Sequence, residues 1–151
     1  MSYTVNDVTE KGRIVELLDE EMPGVARVLL ADDDPASRLT LQTVLKAGGY
    51  EVDAAASAAE AVAKLDAREY ELVLTDLEME SPESGLKVLA YARQMDYQPA
   101  TALVTSYSDA AAGAGDPILI EPEDLPELLG QIAGLISVRA QRRVARKLRQ
   151  N

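Results

Sequence analysis

The chain contains no cysteine and no histidine. These absences exclude disulfides, thiol nucleophiles, zinc sites built from Cys and His, and Ser-His or Cys-His catalytic pairs. Phe and Trp are also absent, and the six Tyr are the only aromatic residues. The core is therefore expected to be aliphatic, and any chemistry must come from carboxylates, hydroxyls, Lys, Arg, the backbone or a bound metal.

Targeting and membrane signals are also lacking. The chain does not begin with a basic stretch followed by an apolar run, so no signal peptide is expected. No apolar run approaches the roughly 20 residues that a membrane span requires. We therefore expect a protein of the cytoplasm that does not contact a membrane.

Negative charge predominates but is unevenly distributed. The 151 residues carry a net charge of −11, and residues 139–151 alone contribute +6, so the remaining residues carry −17. An acidic body of this kind would repel nucleic acid, whereas the basic tail could attract it. The length predicts one domain with short extensions. We expect an N-terminal extension, in part helical, at 1–25, the domain at 26–137 and a basic extension of the last helix at 138–151.

Strand-like and helix-like segments alternate along the domain. The apolar runs predict five strands, at 26–31, 51–55, 72–75, 100–104 and 117–120. Helical periodicity and end signals predict helices at 35–47, 57–67 and 85–95, and a last helix from Pro122 onward that is able to continue through the basic tail. Residues 106–115, rich in Ala and Gly, leave room for at most a short helix.

This alternation predicts an α/β fold, a doubly wound parallel sheet with helices on both faces. Five strands of this kind commonly take the order 2-1-3-4-5, and the functional crevice then lies at the carboxyl ends of strands 1 and 3. The helix between strands 4 and 5 is expected to be short or absent.

Carboxylates stand at those two strand ends. Asp32, Asp33 and Asp34 follow the first apolar run, and Asp76 follows the third. Together they would form an oxygen-rich site for a divalent cation, with one carboxylate free to attack phosphorus. Each group also has a simpler interpretation, because acids favour a helix N-terminus and a lone aspartate is ordinary in a loop.

Three segments resemble the receiver domain of two-component response regulators. They read VLLADDDP at 28–35, LVLTDLEM at 72–79 and ALVTS at 102–106, and the resemblance covers about residues 26–137. It implies that Asp32 and Asp33 hold Mg²⁺ together with Asp76, and that Asp76 accepts a phosphoryl group from a histidine kinase or a phosphotransfer protein. It also implies that Thr105 bonds the phosphoryl oxygen and moves on activation.

The chain departs from the receiver pattern at several positions. Glu121-Pro122 stands where receivers usually carry Lys-Pro, and no other Lys lies between Lys87 and Lys147. Glu80 replaces a usual Pro, and Ile118 stands at a position that is aromatic in many receivers. A carboxylate in place of the Lys would oppose added negative charge, which puts the usual conformational response in question.

Two functions follow from this mixture. The first is a stand-alone, atypical receiver that accepts a phosphoryl group on Asp76 with Mg²⁺, and that is no enzyme beyond this self-catalysed step and slow dephosphorylation. The alternative is a pseudo-receiver that binds a partner protein without phosphorylation. A Mg²⁺-dependent phosphatase using the same site ranks below both. The sequence does not name the kinase or the downstream protein.

The basic tail leaves several interpretations open. A solvated helix end is favoured for residues 142–149. The same residues could extend the last helix into a homodimer or a linker, or bind nucleic acid through charge, in which case binding should weaken steeply with salt.

Overall fold

The structure is a computed structural model, and it describes residues 25–76, 79–105, 118–120 and 125–150. Nine elements occur in these ranges: β1 (Arg27–Ala31), α1 (Pro35–Ala47), β2 (Glu51–Ala55), α2 (Ala58–Ala67), β3 (Leu72–Asp76), α3 (Ser84–Arg93), β4 (Ala100–Thr105), β5 (Ile118–Ile120) and α4 (Leu125–Gln150). The expected N-terminal extension, apart from Val25, and the region expected to hold a short helix at 106–115 lie outside the described residues.

The five strands form one parallel sheet in the order β2-β1-β3-β4-β5. This confirms the predicted α/β architecture and strand order. β1 and β3 are neighbours in register, with Ala31 opposite Thr75. Their carboxyl ends therefore lie side by side. Asp32 follows Ala31 in the sequence, and Asp76 follows Thr75.

Helices cover both faces of the sheet. Along β1, Val28 and Leu30 face one cluster, which includes Leu41 of α1 and Ile132 of α4. Leu29 faces the opposite cluster, which is closed by α2 and α3. The strand interiors are almost entirely removed from solvent, as expected for a parallel sheet covered on both sides.

Helix caps explain where α1 and α2 begin. The Asp34 carboxylate accepts a bond from Ser37 N (3.0 Å), and Pro35 opens the first turn of α1. Ser57 accepts from Glu60 N (3.1 Å) at the start of α2. The Glu60 carboxylate accepts from Ala56 N (3.1 Å) and not from the cap residue itself, a one-residue variation on the capping box.

The third helix ends at Arg93, two residues before the predicted end. The amides of Gln94 and Met95 bond carbonyls three residues back, at Tyr91 and Ala92. Such bonds tighten the last turn and end the α-helical ladder. The apolar pattern alone could not distinguish this closing turn from one more turn of helix.

The last helix runs without a break from the domain into the basic tail, over 26 residues. Leu128 and Ile132 are buried against the sheet, whereas Leu148 near the other end is 71% exposed. The first half of α4 is therefore part of the core, and the end of the helix is not. Of the helices in the described part of the chain, none has the length and apolar character that crossing a bilayer requires.

Candidate phosphoacceptor and metal site

Three carboxylates come together at the carboxyl edge of the sheet. Asp32, Asp33 and Asp76 each offer one oxygen, and these oxygens all lie within 4.8 Å of one another. Asp32 is buried, Asp76 is half-buried and Asp33 is exposed. The group therefore has an anchored inner side and a side that opens to solvent.

Asp32 is held firmly by its backbone and side chain. Its amide donates to Ala55 O (3.0 Å), and its Oδ1 accepts from Asp34 N (3.0 Å). Arg38 Nη1 donates to Asp32 O (2.9 Å). These bonds join the end of β1 to β2 and to the first turn of α1, which fixes the strand end where the carboxylates meet.

Asp34 has a different role from its two neighbours. It caps α1, and hydrogen bonds from Ser37 lower the pKa of its carboxyl group. The helix N-terminus interpretation thus holds for Asp34, whereas Asp32 and Asp33 join Asp76. The sequence run of three aspartates is divided between helix capping and the carboxylate group.

Asp76 ends β3 and lies between two neighbouring strands. It stands opposite Val104 of β4 and one residue beyond the Ala31–Thr75 pair that joins β3 to β1. Thr75 is fully buried, and its hydroxyl donates to Asp76 O (3.1 Å). The backbone that carries the proposed acceptor is therefore fixed from within the sheet.

Of the other two predicted site residues, Thr105 and Glu121, the structure describes only Thr105. Thr105 is the last residue of β4, one position beyond the partner of Asp76, and it pairs with Ile120 of β5. The backbone thus puts Thr105 at the same sheet edge as Asp76. Glu121 follows β5 directly in the sequence and lies outside the described residues.

Glu80 and Arg38 make contacts that the sequence did not predict. That of Arg38 is the bond to Asp32 O described above. The Glu80 carboxylate accepts from Ala58 N at 3.0 and 3.2 Å, at the start of α2. Bonds from backbone amides, first that of Glu80 itself and then that of Ala58, lower the pKa of this carboxyl group. Glu80 thereby ties the loop after β3 to α2. The sequence shows only that Glu80 stands where receivers usually carry Pro. The fold shows that its carboxylate reaches the start of α2.

The arrangement suits a small hard cation. In an octahedral Mg²⁺ shell with bonds of about 2.0–2.1 Å, ligand oxygens are about 3–4 Å apart, and waters complete the shell. The three carboxylate oxygens lie within 4.8 Å of one another, so small side-chain rotations or one intervening water would bring them into this range. The donor set is all oxygen, which matches the preference of Mg²⁺.

Comparison with known proteins decides the family. A sequence model for the response regulator receiver domain matches residues 28–115. The chain belongs to the response regulator receiver family. This receiver is 30% identical over 116 residues to the transcriptional regulatory protein TrcR of Mycobacterium tuberculosis, an alignment that covers 73% of the chain and 45% of TrcR. The chain thus spans less than half the length of TrcR. It also matches the sensor protein EvgS of Escherichia coli at 33% identity over 48% of the chain, and this match covers 6% of EvgS.

Solved structures agree with this assignment. The response regulator TrrA of Thermotoga maritima, determined in complex with Mg²⁺ and BeF, has a TM-score of 0.66 and 31% identity to this receiver. The superposition covers 74% of the chain and 99% of TrrA. A response regulator receiver protein of Sinorhizobium medicae has a TM-score of 0.69 at 26% identity, with 77% and 98% covered.

Proposed function

We propose that this receiver accepts a phosphoryl group on Asp76 in a Mg²⁺-dependent reaction and so acts in a two-component phosphorelay. The observation that carries the proposal is the meeting of Asp32, Asp33 and Asp76 oxygens within 4.8 Å at adjacent strand ends. The binding of Mg²⁺ and BeF by the similar TrrA supports the same chemistry here.

Each carboxylate has a distinct part in the proposed reaction. Asp32, buried and fixed by three hydrogen bonds, and the exposed Asp33 would hold the cation. A Mg²⁺ bound there would neutralise charge on the phosphoryl oxygens. Asp76 would attack phosphorus through one carboxylate oxygen, forming an O–P bond as the donor's bond to phosphorus breaks and the donor leaves with the bonding electrons.

The donor and the output belong to the same proposal. A histidine kinase or phosphotransfer protein would supply the phosphoryl group, and Mg²⁺ would be the resident cofactor. The reaction is acceptance and slow loss of one phosphoryl group, without turnover of a free substrate. The open side of the site at Asp33 is where a donor would approach.

The direct test is labelling of the full chain by acetyl phosphate. Incubation with Mg²⁺ is expected to add one phosphoryl group, seen by intact mass spectrometry and mapped to Asp76 after borohydride reduction. Incubation with a chelator in excess of Mg²⁺ should give no adduct. Absence of an adduct with acetyl phosphate and with every histidine kinase tested would rule out phosphoacceptance.

A pseudo-receiver is the second candidate, and Glu121 favours it. Glu121 directly follows Ile120, the last residue of β5, in the sequence. Replacing the usual lysine by an acid removes a cation that would pair with the phosphoryl group. If this module works without phosphorylation, its partner binding should be unchanged in Asp76→Ala.

Glu121→Lys is expected to tighten beryllofluoride binding in Mg²⁺ by at least about tenfold, since reversing one charge beside an anion is worth about 1 kcal/mol or more per unit of charge. Titration calorimetry or a Mg²⁺-dependent shift in melting temperature measures the change. Glu69→Lys alters the net charge equally from the exposed segment before β3, at the opposite edge, and should leave the affinity unchanged. Equal tightening in both variants would show that only overall charge matters.

A further inference from the structure

A second charged feature lies at the opposite edge of the sheet. A groove of about 580 Å³ opens where β4 begins, between α4 and the end of α3. The start of β4 is about 13 Å along the strand from the position opposite Asp76. The groove is therefore separate from the carboxylate group.

Five arginines line this groove: Arg93, Arg139, Arg142, Arg143 and Arg146. Among the lining residues that the structure describes, none is an acid. Such a concentration is unexpected in a chain with a net charge of −11. Burial, followed by the charge of Arg143, lowers the pKa of Arg139, whereas Glu71 and then Glu69 act in the opposite direction. Because five of the described lining residues are arginines and none of them is an acid, positive charge predominates in the groove.

Hydrogen bonds to one turn hold three of the arginines in place. Arg139 and Arg143 both donate to Tyr97 O, at 2.6 and 3.0 Å, and Arg146 donates to the side chain of Gln98 (2.6 Å). Gln98 itself has a φ of +44°, in the left-handed region that ordinary residues seldom adopt. These bonds use one N–H of Arg143 and one of Arg146, and a guanidinium has five, so positioned donors are left for a ligand.

Part of the groove surface is apolar. Pro99 is buried, Leu135 is half-buried and Val138 is 45% exposed, and all three line the groove. The volume falls within the roughly 300–1,000 Å³ that is usual for small-molecule sites. Arginine forks match phosphate oxygens bidentately, and the apolar wall could carry a flat or hydrophobic group.

We propose that this arginine groove binds a small molecule with two or more phosphates and an apolar or aromatic face, the chemistry of a nucleoside polyphosphate. Phosphates would bond Arg142, Arg143 and Arg146, and the base would lie against Val138. Arg139, which is 9% exposed and bonded to Tyr97 O and Gln98 O, would hold the turn against α4 and would not contact the phosphates.

Calorimetric titration of the full chain with ATP and with tripolyphosphate, in chelator, tests the groove without involving Mg²⁺. Binding of both is expected, with ATP tighter because the apolar wall contributes. Arg142→Glu, an exposed change in the groove, should weaken ATP binding by about tenfold or more, as expected for loss of a charged hydrogen bond. Arg149→Glu makes the same charge change on the same helix outside the groove and should alter affinity less than about twofold.

Several results would overturn the proposal. Equal weakening in the two variants would show a diffuse attraction to the tail. Binding of single-stranded DNA without binding of ATP or tripolyphosphate would assign the arginines to nucleic acid. No heat and no thermal shift with either probe at millimolar concentration would leave the arginines with the structural role of anchoring the turn at Tyr97 and Gln98.

Discussion

Asp76→Asn is expected to abolish labelling of the full chain by acetyl phosphate, with a decrease of at least about 100-fold, because the neutral amide lacks the carboxylate nucleophile. Asn preserves the size of the side chain, and the Thr75 bond to the backbone of residue 76 does not depend on the carboxylate. The fold should therefore survive, and the melting temperature should change little or rise slightly as one of three clustered negative charges is removed.

A matched substitution separates loss of the acceptor from a general effect of charge. Asp96→Asn removes one negative charge from the exposed turn after α3, and its labelling should equal that of the wild type. Intact mass spectrometry after incubation with Mg²⁺ and acetyl phosphate gives the readout for both variants. Labelling of Asp76→Asn at the wild-type rate would mean that another carboxylate is the acceptor, and Asp33, the exposed member of the group of three, would be tested next.

Arg139→Ala is expected to lower the free energy of unfolding by about 3 kcal/mol, because hydrogen bonds from a charged donor contribute about 1.5–3 kcal/mol each and part of the gain is offset by the cost of burying the guanidinium. Arg139 Nε donates to Gln98 O (2.9 Å) and Nη2 to Tyr97 O (2.6 Å). Burial, followed by the charge of Arg143, lowers the pKa of Arg139. Arg143 keeps one bond to Tyr97 O after the change, so the turn is weakened and not released.

Urea denaturation measures this difference, and thermal melting should show a decrease of about 10 °C for a domain of this size. Arg142→Ala, an exposed arginine three residues along the same helix, is the control and should change stability by less than about 0.5 kcal/mol. If the two variants have the same stability, the apolar face of α4 at Leu128 and Ile132 anchors the helix without help from Arg139.

The two halves of α4 have different relations to the proposed functions. Its first half packs against β4, which ends at Thr105, and lies beside β5, which ends at the residue before Glu121. Its second half holds the arginines that line the groove at the other edge. A ligand in the groove and a phosphoryl group on Asp76 would thus act on opposite ends of the same strand β4.

The sequence by itself determined the strand order, the sheet edge that carries the site and the residues Asp32, Asp33 and Asp76. It could do so because alternating apolar runs require a covered parallel sheet, and because a parallel sheet brings strand ends together. The assignment of Mg²⁺ and of phosphoacceptance to these residues depends on the family resemblance, and remains a proposal.

Tertiary structure alone decided which neighbouring chain segments the polar side chains reach. Asp34 caps a helix while its two neighbours join Asp76, Glu80 reaches the start of α2, and Arg139 bonds a turn 41 residues away in the sequence. Periodicity locates buried faces, because burial is a property of the element as a whole. It does not locate a hydrogen bond between distant segments, because that depends on how elements pack and on one rotamer at each end. The three aspartates that the sequence presented as one motif were therefore divided by the fold between a cap and a carboxylate group.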